Sequence, residues 1–307
     1  MADIIIHEVG PRDGLQIEKA TVPTDQKIKW IEALIGSGVD IVQVGSFVHQ
    51  QKVPQMADTD RLFEYFAQPD HRPARTRLSA LVLNEKGLER GFKCGVGYFC
   101  MGVSASDTHS RKNTGMGTAE AADRIIAMAK SAGSAGATVQ VSVQSAFGCG
   151  FEGAVPEARV LDLVRRFLDA GLRMVSLADT AGHGHPAQVE RLFAAVRALD
   201  PSVECAAHLH DTYGLGLANA YAALRTGVTY FESAFAGLGG CPFTAVTGGN
   251  VCTEDFVHML QRMDRRADIR LDVLIELAKD AARFFGRDMP GRLWRTGPVP
   301  ATVPAGA

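Results

Sequence analysis

Residues 173–211, RMVSLADTAGHGHPAQVERLFAAVRALDPSVECAAHLHD, hold one complete structural unit and set the reading of the whole chain. A short, almost continuous apolar run at 173–178 is followed by a polar loop. Val189, Leu192, Phe193 and Val196 then share one helical face, and a second apolar run occupies 203–208. Runs apolar throughout suit strands buried on both faces, and a helix between two of them makes the strands parallel. Polar residues gather where each run ends: Asp179-Thr180 after the first, His208-Leu209-His210-Asp211 at the close of the second.

Working outward, the same alternation fills the chain. Strands are expected at 3–8, 40–45, 77–83, 97–103, 137–144 and 229–235 besides the two above. Ile28, Ile31, Leu34 and Ile35 share one helical face, as do Val160, Leu161, Val164, Phe167 and Leu168. Eight strand-helix units fit an α/β fold of the (β/α)8 TIM-barrel type, with an additional C-terminal helix near 271–285. A doubly wound sheet would show fewer strands and a Gly-rich phosphate fingerprint after the first; no GxGxxG follows it here. Gly36 with Gly38, Gly133 with Gly136, and Gly171 suit helix C-caps leading into strands. One barrel domain over 1–290 is expected, with a mobile tail at 291–307.

Composition narrows the function. Hydrophobic residues at 46% against 21% charged supply a core, and 32 basic against 34 acidic residues give no basic field for nucleic acid or an acidic membrane. Every apolar run is interrupted well short of the ~20 residues a bilayer span needs. Six cysteines lack the spacing of a secreted disulfide framework, and the opening MADIIIHEVGPRDG reads as a strand at once, with no targeting segment. A cytoplasmic protein is expected.

In a TIM barrel the chemistry sits at the C-terminal strand ends. Three clusters meet that condition. Arg12-Asp13-Gly14 can offer a cation ligand and an electrophile, or simply form a turn. His208 and His210, two residues apart, lie on one side of the chain and suit a metal. With Asp13 the set has two nitrogens and one carboxylate, which accepts Mg²⁺, Mn²⁺, Co²⁺ or Zn²⁺. The third is GLGGCPF at 237–243, a loop that can close over substrate, followed by Gly248-Gly249-Asn250. Cys241 there is a candidate thiol acid, base or nucleophile, and the Asn250 amide oxygen a further ligand. Cys149 at the rim either contacts substrate or packs. Asp179 and Thr180 either orient a ligand from behind or cap a helix. His183 and His185 carry no assignment.

Taken together, GPRDGLQ, SFV with VPQM, SLADT, HLHDTYG, and GLGGCPF with GGN resemble 3-hydroxy-3-methylglutaryl-CoA lyases, in order from about Ile5 to Phe285. These are metal-dependent barrels in a wider group with isopropylmalate synthase. The resemblance implies retro-Claisen cleavage of an acyl-CoA, with Asp13, His208, His210 and Asn250 as metal ligands and Mg²⁺ or Mn²⁺ foremost. It implies Arg12, Asp13, His208 and Cys241 as the catalytic set, Arg12 stabilising an enolate and Cys241 acting as the thiol. It places Arg12, Gln16, Gln43, Ser46, Cys149, Asp179 and Thr180 around the substrate, and Arg111 and Lys112 near CoA phosphates. A homodimer is expected.

One departure bears on substrate. Where the family carries glutamate just before SFV, this chain has Gln43, and His49 to Gln51 also differ from the family's pattern. Gln keeps the size and one acceptor oxygen but removes the charge that would pair with Arg12. Citramalyl-CoA, a longer 3-alkylglutaryl-CoA, and a catalytically inactive metal- or CoA-binding barrel are therefore the alternatives.

Overall fold

The computed structural model describes residues 4–240 and 249–300. Among them eight strands occur: β1 (Ile5–Glu8), β2 (Ile41–Ser46), β3 (Arg77–Leu81), β4 (Tyr98–Ser104), β5 (Thr138–Gln144), β6 (Met174–Ala178), β7 (Glu204–His208) and β8 (Tyr230–Ser233). All pair in parallel in chain order, and β8 closes on β1. This is the expected (β/α)8 barrel. The run at 229–235 ends early as a strand because Phe235–Gly237 turn away, with Ala236 in the left-handed region at φ 59°.

The helices form where the apolar periodicity places them. In Thr24–Ser37 the buried stripe is Trp30, Ile31 and Leu34, flanked by half-buried Ile28 and Ile35, and the helix stops at Gly38 with φ 88°. Val160, Val164 and Phe167, and likewise Val189, Leu192, Phe193 and Val196, are fully buried against the barrel. Burying each such side chain contributes roughly 1.5–3 kcal/mol.

The helix beyond the eighth unit spans Leu271–Phe285, as expected. It packs on Thr24–Ser37, where Asp280 accepts from Trp30 Nε1 at 2.9 Å and the Phe284 ring meets Trp30 at 5.2 Å. The packed chain then continues past residue 290, where the tail was expected to begin. Leu293–Thr296 form a helical turn, Leu293 is buried, and Asp255 accepts the N–H groups of Arg292 and Leu293 at 2.8 and 2.9 Å. Residues 301–307 of the expected tail lie outside the described ones. No helix among the described residues is long and apolar enough to cross a membrane.

The barrel interior is unusually polar for a fold whose centre is ordinarily filled by Val, Ile and Leu. His7, Gln43, Ser79, Gln140 and Glu232 are all buried there. Buried groups of this kind are ordinarily hydrogen-bonded, and each makes at least one such bond here, although His7 Nδ1 has no partner among the described residues. His7 Nε2 meets Ser79 Oγ at 2.8 Å, and Gln140 donates to Glu232.

Candidate active site

The site begins where β1 ends. Residues Gly10–Gly14 form a single turn of π-helix in which the N–H groups of Arg12, Asp13 and Gly14 all point to the Val9 carbonyl. Such a turn is costly outside functional places, and here it drives Arg12 and Asp13 side by side over the barrel mouth. Gly10 is required by close approach: a Cβ would sit 2.6 Å from Glu8 Oε1 and 2.5 Å from the Phe235 ring.

Across the mouth, β7 delivers His208, and the chain beyond it delivers His210, which pairs by its backbone with Asn250. The two Nε2 atoms stand 3.1 Å apart, and His208 Nε2 lies 3.8 Å from Asp13 Oδ2. One ligand atom from each of Asp13, His208 and His210 falls within 4.8 Å of the others. Asn250 donates through Nδ2 to Asp13 Oδ2 at 2.9 Å, while its Oδ1 is buried without a hydrogen-bond partner. Two imidazole nitrogens and a carboxylate converging beside the Asn250 amide, whose oxygen is unpartnered among the described residues, make a donor set that fits a divalent cation. Gly239 makes room for that amide: at its φ of 107° a Cβ would come within 2.4 Å of Asn250 Nδ2.

Electrostatics support the same reading. Burial would raise Asp13, but Arg12, His208, His210 and the Asn250 hydrogen bond hold it well below the usual carboxylate range. Burial, and the positive charge His208 would carry, push His210 down to about 4, so it is neutral and able to ligate at neutral pH. Burial works against the charged form of His208 as well, but its hydrogen bond to Glu232 together with the negative charges of Glu232 and Asp13 outweighs this and raises its pKa.

Arg12 is held from two sides. It donates through Nε to Gln43 Oε1 and through Nη1 to Asp13 Oδ1. A bulge between Gln43 and Gly45, where β2 pairs β3, accompanies the inward position of Gln43. Below lies a cavity of about 260 Å³. Its lining combines Arg12, Asp13, Gln16, Ser142, Gln144, Thr180, His208, His210 and Glu232 with apolar walls from Val48, Leu81, Leu83 and Met101.

The expected site residues divide accordingly. Gln16 donates to Asp13 at 3.1 Å and lines the cavity, and Thr180 lines it while accepting the Ser145 N–H at 2.9 Å. Ser46 is buried at the end of β2 with its hydroxyl unpartnered and off the cavity wall. Cys149 is buried 3.1 Å from Ser106 Oγ and does not line the cavity, so it packs. Asp179 turns to the N–H groups of His183 and Gly184 at 2.9 and 3.0 Å, shaping the β6 loop and orienting no histidine ring. Arg111 pairs with Asp107 at 2.7 Å and Lys112 lies 4.6 Å over the Phe151 ring; neither lines the cavity, though His109 and Asn113 of the same helix do. His49 and Gln51 line a separate cleft with Arg90 and Asn84. Cys241 lies outside the described residues.

Sequence reasoning missed Glu232, Gln140 and His7. The available signal was a charge or amide inside a strand: Glu232 in YFES, Gln140 in TVQVSVQ, His7 in IIHE.

The sequence matches the HMGL-like family over residues 3–280. It is 37% identical to a hydroxymethylglutaryl-CoA lyase of Bacillus subtilis, covering 94% of this chain and 95% of that protein. It is 35% identical to an (R)-citramalyl-CoA lyase of Chloroflexus aurantiacus, covering 97% and 96%. Among solved structures, an HMG-CoA lyase from Acinetobacter baumannii in complex with coenzyme A and 3-methylmalate superposes with a TM-score of 0.90 at 34% identity, over 99% of this chain and 98% of that one.

Proposed function

The chain belongs to the HMGL-like family of metal-dependent carbon-carbon lyases, and from that premise we propose that it cleaves 3-hydroxy-3-methylglutaryl-CoA to acetoacetate and acetyl-CoA. The convergence of Asp13, His208 and His210 beside Arg12 carries the proposal. A bound Mg²⁺ or Mn²⁺, with Co²⁺ and Zn²⁺ also admissible, would supply Lewis-acid chemistry at the substrate's hydroxyl and carboxylate oxygens. Asp13, His208, His210 and Asn250 would hold it.

In the reaction a base takes the C3 hydroxyl proton and the C3 oxygen becomes the ketone oxygen of acetoacetate. The C2-C3 bonding pair passes into the thioester enolate. Arg12 sits at the mouth to stabilise that enolate oxygen, and its neutral Gln43 partner leaves the guanidinium charge less offset than a carboxylate would. The walls from Val48, Leu81, Leu83 and Met101 keep water from the acyl portion. Cys241 is assigned the proton donor to the enolate on the family resemblance alone. A cytoplasmic homodimer belongs to the same proposal; the exposed Phe284 on the helix Leu271–Phe285 supports the dimer.

Gln43 and the citramalyl-CoA lyase relative favour one second reading, cleavage of citramalyl-CoA. Offering both thioesters and a longer 3-alkylglutaryl-CoA to metal-loaded protein, with products identified by mass, separates them. Acetoacetate as the main ketone product supports the first reading, pyruvate the second.

A further inference from the structure

We infer that Glu232, held by Gln140, is a positioning residue that fixes His208 as a metal ligand. The inference rests on the metal-centre reading above.

β7 and β8 pair with His208 opposite Glu232, so the two side chains enter the barrel together. Glu232 Oε2 lies 2.7 Å from His208 Nδ1. An ionised carboxylate only accepts, so His208 must carry its proton on Nδ1, and in the neutral ring this leaves the Nε2 lone pair facing Asp13 and His210. The other carboxylate oxygen accepts from Gln140 Nε2. The amide cannot turn over without placing Gln140 Oε1 against the carboxylate, and that oxygen already accepts from Tyr98 Oη at 3.0 Å. Tyr98 in turn stacks beneath the Arg77 guanidinium at 4.7 Å. A chain of contacts thus runs across the interior from Arg77 to His208.

Glu232 is buried and lines the same cavity as Arg12. Among the described residues His210 Nδ1 is buried without a hydrogen-bond partner, so Glu232 is the outer support seen for the imidazole pair, through His208. Outer partners of this kind ordinarily change metal affinity 10–100-fold.

The test is Mn²⁺ binding to the purified full chain, by calorimetry and by the EPR signal of free Mn²⁺, for wild type, Glu232→Gln, Gln140→Met and His210→Ala. Near-UV circular dichroism checks that each variant is folded. In Glu232→Gln, one amide must meet both the Gln140 donor and His208 Nδ1, which favours the other tautomer and puts a proton on Nε2. Mn²⁺ affinity should fall at least tenfold, and ¹⁵N-histidine NMR should show the His208 tautomer switch. Gln140→Met, which leaves His208 and Glu232 intact, should weaken Mn²⁺ at least threefold, so the outer link can be judged even if Glu232→Gln fails to fold. Wild type that binds Mn²⁺, His210→Ala that does not, and both network variants within twofold of wild type would overturn this inference alone. Wild type without Mn²⁺ binding would overturn the metal-centre reading and this inference with it.

Discussion

Arg12 pairs through Nη1 with the Asp13 carboxylate and donates through Nε to Gln43 Oε1, so on its β2 side the guanidinium charge at the barrel mouth meets a neutral amide. That charge should be directed at substrate. Arg12→Gln is expected to lower kcat by roughly 10²–10³-fold, the range for losing one donor to a developing oxyanion, with Mn²⁺ still bound. Gln43→Glu should lower kcat about tenfold by partly neutralising Arg12. Steady-state kinetics beside Mn²⁺ calorimetry checks both; unchanged kcat in Arg12→Gln would remove it from the chemistry.

The thiol of Cys241 should separate from the metal. Cys241→Ala is expected to keep Mn²⁺ affinity within twofold of wild type while kcat falls on the order of 10²-fold, the scale of a lost general acid. Full activity in that variant would refute its role as proton donor.

Stability should carry the signature of Glu8. This carboxyl is buried under β8, accepting from the Gly10 and Phe235 N–H groups at 2.7 and 3.0 Å and from Thr253 Oγ1. Burial outweighs those hydrogen bonds and pushes its pKa up to about 7 from 4.5. The folded protein then keeps a proton that the unfolded chain gives up above pH 4.5. This contribution to stability is full below pH 4.5 and lost as pH rises through 7, by up to about 3 kcal/mol. Urea unfolding at pH 5 and pH 8 should show wild type losing stability relative to Glu8→Gln by that order. A pH-independent difference would contradict it.

Much of this was legible in the sequence because strands buried on both faces leave uninterrupted apolar runs, and the polar residues ending those runs are the site. Asp13, His208 and His210 converge as their positions at strand ends implied. Asp179 was legible as a strand-end carboxylate but not in its direction, because a loop tightening onto its own N–H groups looks the same in sequence as a ligand's support. Cys149 likewise reads as rim thiol or packing residue until Ser106 is seen beside it. Glu232 was hidden by its context: one charge within a four-residue strand has meaning only once β7 is in register beside it. The packing of Leu293 depends on Asp255, 38 residues away, and no local pattern announces such a contact.

The most direct measurement of the central claim is acetyl-CoA release from 3-hydroxy-3-methylglutaryl-CoA by chelator-stripped protein as Mn²⁺ is added back, for wild type and His210→Ala. Wild-type release should rise with Mn²⁺ occupancy from a negligible baseline and return to it with excess chelator, while His210→Ala stays at baseline throughout. Equal release with the metal chelated, or full release from His210→Ala, would contradict a metal-dependent lyase built on Asp13, His208 and His210.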